Sequence, residues 1–207
     1  MSRNNLIVET LVVGQMAANC YIVRDGSVAV VIDPGDDGQY IIDTLQKYSL
    51  TLKAIVATHG HFDHIMAAYE LQISLGLPFL MGKGDEFLLK NMRASANHYL
   101  HITTDPPPTV TKTLADGDII TVGAQKLSVI AVPGHTPGSI ALVSNEWIIV
   151  GDVLFSGGAV GRTDFSYSDK EQLMISIQKI RSYPEDYILY PGHGEKTTIG
   201  DISQLFV

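Results

Sequence analysis

The sequence predicts a mixed α/β (α+β) protein in which two β-sheets pack face to face and helices cover both outer faces, a four-layer αββα sandwich. Three observations predict it. The chain begins with short segments rich in β-branched residues. Two stretches in which apolar residues recur at helical spacing follow, with a buried strand between them. A second series of strands is then followed by another helix. We expect one domain over residues 1–207, because no linker interrupts the pattern.

The first sheet begins with three segments that read as an antiparallel meander: Leu6–Val13, Asn19–Arg24 and Val28–Ile32. Asp25-Gly26 is suited to a tight hairpin turn between the last two. The third strand ends at Asp33-Pro34-Gly35. Apolar residues then recur at helical spacing up to Ser49, which predicts a helix packed on this sheet.

A second strand and helix follow. Lys53–Ala57 reads as a buried strand, and from His64 the apolar residues again follow helical spacing until Gly76, a suitable C-cap. Asp63 and His64 are therefore expected near a helix N-terminus, where the helix dipole is positive. A further helix is predicted from Asp85 to His101.

The C-terminal half of the chain is predicted to contain a second series of strands and one helix. Pro106-Pro107-Pro108 predicts a stiff connection, since strand patterns resume at once. Ser168-Asp169-Lys170-Glu171 is predicted to be a capping box that opens a helix through Arg181. The predicted strands of this half are Leu114–Val122, Gln125–Val132, Ser139–Val143, Trp147–Val150 and Tyr187–Tyr190.

Composition excludes several classes of protein. With 207 residues, 45% of them hydrophobic and 17% charged, the chain can bury a substantial core. A net charge of −8 argues against nucleic acid as a partner. The single cysteine, Cys20, excludes an intramolecular disulfide and is interpreted as a buried apolar residue. With neither a targeting segment nor a membrane span recognised, we expect a cytoplasmic protein with no membrane contact.

Potential metal ligands are most concentrated in Thr58-His59-Gly60-His61-Phe62-Asp63-His64, which places three imidazoles and a carboxylate within six residues. Imidazole and carboxylate are ligands for a borderline cation such as zinc. A packed apolar core rarely contains so many of these polar groups close together. The run therefore predicts a metal site.

Further candidates sit at later strand ends beside glycine or proline, residues that permit sharp turns. These are His135, Asp152 and His193. Five histidines and two aspartates are too many for one tetrahedral ion and suit two, with one carboxylate shared. His98 and His101 lie in a helical pattern without a turn glycine, and we interpret them as surface or packing residues.

With these motifs in view, the chain resembles the metallo-β-lactamase-fold hydrolases, and specifically the short, single-domain glyoxalase II-like (hydroxyacylglutathione hydrolase-like) branch. The motifs that carry the resemblance span most of the chain: Asp33-Pro34-Gly35, the His59–His64 run, Pro133-Gly134-His135-Thr136-Pro137-Gly138, Gly151-Asp152-Val153-Leu154-Phe155, Gly161-Arg162-Thr163-Asp164 and Pro191-Gly192-His193-Gly194.

The resemblance implies a ligand set for two divalent ions. His59, His61 and His135 would hold one ion. Asp63, His64 and His193 would hold the other, and Asp152 would bridge them. Zinc is the expected metal, with iron or manganese as alternatives. Asp63 and Asp152 are the candidate catalytic carboxylates.

Three more residues are singled out around this centre. Asp33 is interpreted as a hydrogen-bond partner of a metal-binding histidine, because such histidines usually donate their second N–H to a carboxylate or carbonyl. Arg162 and Asp164 either orient substrate or pair with each other, and the sequence does not choose between these roles.

The activity implied by the resemblance is hydrolysis of a small acyl thioester such as S-lactoylglutathione by a metal-bridging hydroxide. The alternative is a mono-iron persulfide dioxygenase of the same fold, ligated by residues such as His59, His135 and Asp152. A third class is a metal-dependent binding or sensor protein without turnover. We expect a monomer or homodimer with a small-molecule thioester as its partner.

Departures from the family's patterns narrow these expectations. Only 14 residues follow His193, so we expect no C-terminal helical extension of the kind that contacts glutathione in full-length glyoxalase II enzymes. Asp152 stands where well-known zinc β-lactamases have cysteine, which argues against an antibiotic hydrolase. The acidic charge likewise argues against the ribonucleases of this fold.

Overall fold

In the computed structural model, residues 6–203 are described, and they form two six-stranded sheets with α-helices on their outer faces. The strands are β1 (Ile7–Val13), β2 (Ala18–Asp25), β3 (Val28–Ile32), β4 (Thr51–Ala57), β5 (Phe79–Gly82), β6 (Val110–Leu114), β7 (Ile119–Val122), β8 (Gln125–Ala131), β9 (Ile140–Val143), β10 (Trp147–Gly151), β11 (Ile188–Pro191) and β12 (Thr197–Thr198). The helices are α1 (Gly38–Lys47), α2 (Ala68–Leu75), α3 (Glu86–Leu100), α4 (Lys170–Arg181) and α5 (Ile199–Ser203). The N-terminal residues 1–5, on which part of the targeting prediction depended, lie outside this range.

Each sheet follows the chain in order. The first sheet has the order β1-β2-β3-β4-β5-β6, with antiparallel pairing up to β3 and parallel pairing from β3 to β6. The second has the order β12-β11-β10-β9-β8-β7, in which β10 and β11 are parallel and the other pairs are antiparallel. The first half of the chain thus builds one sheet and the second half builds the other.

Alternation of side chains along buried strands confirms the four layers. In β2, Cys20 and Ile22 join the apolar cluster that includes residues of α1, α2 and α3. Tyr21 and Val23 point the other way, into the cluster between the two sheets. A third cluster lies between the second sheet and the helices α4 and α5. Because successive side chains of a strand face opposite sides, both faces of the central strands are buried.

Two strand predictions need correction. The predicted strand Leu114–Val122 is broken, because a turn at residues 115–118 sends β6 into the first sheet and starts β7 in the second. Asp118 closes this turn, since its amide donates to the Ala115 carbonyl and its carboxylate accepts from the Ala115 amide. Strand β5 was not predicted, because four residues next to Pro78 give too short a pattern. The short elements β12 and α5 were also missed.

Two helix starts differ from prediction as well. Asp63 and His64 lie in a 3-10 turn, Phe62–His64, and α2 begins four residues after His64, so these side chains are not at an α-helix N-terminus. In α4 the N-cap is Asp169, which accepts from the Gln172 amide at 3.0 Å, and no capping box involving Ser168 forms. Ser168 instead donates to the His135 carbonyl at 2.7 Å. Within residues 6–203, the helices are too short and too polar for any of them to cross a membrane.

Candidate metal centre

The candidate ligands meet at one edge of the sandwich because they follow strands that run in the same direction within each sheet. Four candidate ligands follow strand ends, namely His59 after β4, His135 after β8, Asp152 after β10 and His193 after β11, and the supporting residue Asp33 follows β3. At this edge the two sheets are joined by a hydrogen bond from the Ile140 amide to the Thr58 carbonyl, 2.8 Å long. Residues far apart in sequence therefore share one site.

Three imidazoles form the first group, which we call the three-histidine cluster (His59, His61 and His135). Nδ1 of His61 lies 3.1 Å from Nε2 of His59 and 2.9 Å from Nε2 of His135. His59 and His135 are buried, and His61 is partly exposed. Three ring nitrogens thus converge on one small volume.

The outer nitrogens of this cluster have partners that define the tautomers. Nδ1 of His135 lies 2.8 Å from the Arg162 carbonyl, which can only accept, so this nitrogen carries the proton. The Thr58 hydroxyl donates to Asp33 at 2.6 Å and therefore accepts from Nδ1 of His59 at 3.1 Å. Both Nε2 atoms consequently present lone pairs to the centre of the cluster.

The second group, the Asp63 cluster, comprises Asp63, His64 and His193. Nε2 of His64 and Nε2 of His193 are 3.2 Å apart, and Oδ2 of Asp63 lies 3.3 Å from Nε2 of His193. The other ring nitrogen of His193 faces the Ala17 carbonyl at 3.3 Å. Two imidazole nitrogens and one carboxylate oxygen again face a common point.

Asp152 lies between the two clusters. Its Oδ2 is 3.8 Å from Nε2 of His135 and 3.7 Å from Nε2 of His193, and its Oδ1 is 3.5 Å from Nε2 of His64. Oδ1 is buried and has no hydrogen-bond partner among residues 6–203. A Cβ on Gly192 would overlap Oδ1, so the glycine permits this close approach. An unpartnered buried carboxylate oxygen is costly unless a cation compensates it.

Asp33 supports both clusters from behind. Its fully buried carboxylate accepts from the Thr58 amide at 2.6 Å and contacts Nδ1 of His64 at 3.3 Å. These contacts place Asp33 on the outward nitrogen of His64, away from the atoms that converge. Its backbone has φ 53°, an unfavourable left-handed conformation for a residue with a side chain. The structure therefore places Asp33 where it can orient His64 and, through Thr58, His59.

The donor set fits metal ions of the class the sequence predicts. Lone pairs of neutral imidazoles that face one another at about 3 Å repel unless a proton or a cation lies between them. Each cluster brings ligand atoms of three residues within 4.8 Å of one another. The donors are nitrogen and oxygen, without thiolate, a set that accepts several first-row divalent ions. The residues present can thus hold two such ions.

The two clusters differ in electrostatics. Burial and the neighbouring imidazoles lower the pKa of His59, and burial is also the main reason that the pKa of His61 is lowered to about 3. Burial also acts to lower the pKa of His64 and His193, but nearby carboxylates, chiefly Asp152 and Asp63, outweigh it and raise both values. In turn, the histidines hold the pKa of Asp63 below its usual range despite burial.

A cavity of about 940 Å³ opens onto both clusters. Side chains of α3 and of residues 155–167 form its other walls, and most of them are apolar or aromatic. Tyr99 stacks on Phe62 with their ring centroids 5.7 Å apart, and Phe165 stacks on Tyr167 at 5.2 Å. This size suits a small organic substrate next to the ligand atoms.

Arg162 and Asp164 pair with each other. The guanidinium donates to both carboxylate oxygens at 2.8 and 2.9 Å, and its Cζ lies 4.6 Å from the Phe165 ring centroid. Both side chains are more than half exposed. Of the two predicted surface or packing residues, His98 lines the cavity and packs edge-on against Tyr99, whereas His101 is exposed at the end of α3.

Sequence reasoning missed two residues that contact the site. Asp85 is fully buried and joins the two histidine loops: its carboxylate accepts from the Gly60 amide, the Gly138 amide and the Thr136 hydroxyl at 2.9, 2.6 and 2.7 Å. Tyr167 places its hydroxyl 2.8 Å from Nε2 of His61. Asp85 looked like the start of a helix, and the one signal for Tyr167 was an aromatic residue just after Gly161-Arg162-Thr163-Asp164.

Fold and site together define the class of this protein, a metal-dependent hydrolase. A family model described as the metallo-beta-lactamase superfamily matches residues 13–193, and the chain belongs to this superfamily. A similar protein is "Hydroxyacylglutathione hydrolase GloC" of Haemophilus influenzae, which is 33% identical over 204 residues, or 93% of each chain.

Solved structures show the same fold. One is TTHA1623 in a di-iron-bound form, with a TM-score of 0.88, 31% identity and coverage of 95% of this chain and 97% of that one. Another is the BLEG-1 B3 metallo-beta-lactamase, with a TM-score of 0.87, 32% identity and coverage of 96% and 97%. A third is ETHE1 from Myxococcus xanthus, with a TM-score of 0.78, 25% identity and coverage of 94% and 80%.

Proposed function

We propose that this chain is a binuclear metallohydrolase that cleaves small acyl thioesters, with S-lactoylglutathione as the reference substrate. The observation that carries the proposal is the position of Asp152 between two clusters of metal-ligating atoms: its carboxylate is 13% exposed, and its buried oxygen Oδ1 has no hydrogen bond from the described residues. The likeness to a named hydroxyacylglutathione hydrolase supports the choice of thioester.

In this proposal the three-histidine cluster would hold one ion and the Asp63 cluster the other, and Asp152 would serve as a ligand to both. Zinc is the proposed metal. Iron and manganese remain alternatives because nitrogen and oxygen donors accept them, and the similar TTHA1623 was solved in a di-iron-bound form. When bound, such ions would act as Lewis acids toward a carbonyl oxygen and would acidify water, to a pKa of about 7 in favourable sites.

The chain's own residues prepare the site for this chemistry. Asp33 contacts the outward nitrogen of His64 and, through Thr58, that of His59, so it orients both imidazoles with Nε2 toward the centre of the site. The carboxylates of Asp63 and Asp152 balance part of the charge that two cations bring. Apolar and aromatic side chains make up much of the cavity wall and would limit the water around a bound acyl group. A thiolate is a good leaving group, so the site needs no strong general acid.

The cavity offers little charge for the carboxylates of glutathione. Among the lining residues that the structure describes, Arg162 has the one guanidinium and no lysine is present. That guanidinium is already bound to Asp164 through two hydrogen bonds. Recognition of the substrate is therefore proposed to depend on its acyl thioester group more than on the peptide part of the thiol.

Purified protein with its native metals tests the proposal directly. We expect two metal ions per chain and thiol release from S-lactoylglutathione. A lactoyl thioester of N-acetylcysteamine, an uncharged thiol, should be cleaved at a comparable rate, because the described lining residues offer glutathione no lysine and no guanidinium outside the Arg162–Asp164 pair. One iron per chain with oxygen uptake on glutathione persulfide would instead establish the dioxygenase. Hydrolysis of a β-lactam without thioester cleavage, or metal binding without turnover, would also contradict the proposal.

The two ions should differ in their sensitivity to acid. Protons compete with metals for ligands, and a raised pKa brings that competition to a higher pH. His64 and His193 have raised pKa values and His59 and His61 have lowered ones, so the Asp63 cluster should lose its ion first as the pH falls.

A matched pair of variants measures this order. His193→Ala leaves the three-histidine cluster complete, and His135→Ala leaves the Asp63 cluster complete. Metal content of dialysed samples is followed as the pH is lowered. The ion retained by the His193→Ala variant should persist to lower pH than the ion retained by the His135→Ala variant, and the reverse order would show that the pKa difference does not control release.

A further inference from the structure

His61 differs from the other imidazoles of the site in two respects. It turns Nδ1 toward its cluster, whereas His59 and His135 turn Nε2 inward. Its outward nitrogen, Nε2, faces the hydroxyl of Tyr167 at 2.8 Å. His59, His64, His135 and His193 have their outward nitrogens on Thr58, Asp33 and two backbone carbonyls. The partner of His61 is thus a cavity-lining side chain.

From this geometry we infer that Tyr167 is a positioning residue for the metal centre, which fixes the ring orientation of His61 and accepts its Nε2 proton when Nδ1 binds an ion. The inference rests on the proposed ligand role of the three-histidine cluster. If Nε2–H of His61 donates to the Tyr167 oxygen, Nδ1 is left with its lone pair toward an ion. With the opposite tautomer, the Nδ1 proton would point into the space between His59 and His135 and would oppose binding.

Tyr167 is itself held in place from several sides. Its ring stacks on Phe165 with an interplanar angle of 7°, and Phe87 packs against it edge-on with 5.2 Å between ring centroids. The next two residues are tied to the loop that carries His135, since Ser168 donates to the His135 carbonyl and the Asp169 amide donates to the Gly134 carbonyl. The hydroxyl is therefore aimed at His61 by packing on one side and by the backbone on the other.

The test is the affinity of each of the two ions, measured with Zn²⁺ against a competing chelator and with Co²⁺ by its d–d absorption. Tyr167→Phe removes the hydroxyl and keeps the ring. We expect one of the two equivalents to bind about 10- to 100-fold more weakly, the usual effect of losing such a hydrogen bond, with an altered Co²⁺ spectrum. The ion of the Asp63 cluster serves as an internal reference for correct folding.

Two further variants separate positioning from a general structural effect. Tyr99→Phe removes a hydroxyl from another tyrosine of the same cavity and should leave both affinities unchanged. In a His61→Ala background, adding Tyr167→Phe should cost no further affinity, because the residue acts through His61.

Three outcomes would overturn the inference: wild-type affinities in the Tyr167→Phe variant, an equal loss with Tyr99→Phe, or an undiminished loss in the His61→Ala background. Failure of the wild-type protein to bind Zn²⁺ or Co²⁺ would contradict the metal centre and this role together. Absence of thioester cleavage with metal binding intact would contradict the proposed substrate alone.

Discussion

Replacing Asp152 by Ala is expected to abolish hydrolysis and to weaken the binding of both metal ions. The carboxylate faces His135 of one cluster and His64 and His193 of the other. Losing a residue that merely orients a ligand already costs about 10- to 100-fold in metal affinity, so losing a shared ligand should cost more than about 100-fold for each ion. Equilibrium dialysis and elemental analysis measure this directly.

Asp164→Ala is the matched control, because it removes an exposed carboxylate from the segment that follows Asp152. Its metal content should equal that of the wild type. If Asp152→Ala retained both ions at wild-type affinity, Asp152 would not be a shared ligand and the binuclear assignment would fail. Loss of one ion alone would assign Asp152 to a single cluster.

Replacing Asp85 by Ala should produce the largest loss of stability among the site's supporting residues. The change leaves the Gly60 amide, the Gly138 amide and the Thr136 hydroxyl without their buried acceptor. The Thr136 hydroxyl can still donate to the Ser139 hydroxyl 2.7 Å away, but the two amides have no other acceptor among residues 6–203. At roughly 1–3 kcal/mol for each unsatisfied amide, the free energy of unfolding should fall by about 2–6 kcal/mol. Urea unfolding of the metal-free protein measures the change without a contribution from bound ions.

Asp116→Ala provides the comparison, since Asp116 accepts from the Ala131 amide and from Lys179 at an exposed position. Its cost should stay below about 1 kcal/mol. The Asp85→Asn variant, which keeps one acceptor oxygen, should fall between the two. Equal effects of Asp85→Ala and Asp116→Ala would show that the buried acceptor does not hold the two histidine loops together.

Asp152 and Asp85 show that metal ligands are easier to predict from the sequence than the residues that support them. The ligands were predictable because a metal needs particular side chains, and His59-Gly60-His61 or Pro191-Gly192-His193 places them in turns that can present them. Asp33 could be predicted as a support because it belongs to such a turn. Asp85 could not, since a carboxylate that accepts backbone amides at a distance has no characteristic spacing.

The strands also show which features the sequence could predict and which it could not. The alternation of apolar residues predicted the two sheets and their outer helices, which the structure confirms. The alternation could not predict that the segment from Leu114 to Val122 divides between the two sheets. The turn at Gly117 is short, so the strand-like pattern continues across it.

By itself the sequence determined the four-layer class and the seven histidines and aspartates that could serve a metal centre, because side-chain periodicity and ligand chemistry are local properties. The tertiary structure decided which of them face each other. His64 and His193 are 129 residues apart in the chain and 3.2 Å apart at their ring nitrogens, a contact fixed by how the two sheets pack. The same packing brings Tyr167 to His61 and leaves one oxygen of Asp152 without a hydrogen bond from residues 6–203, features that no local pattern encodes.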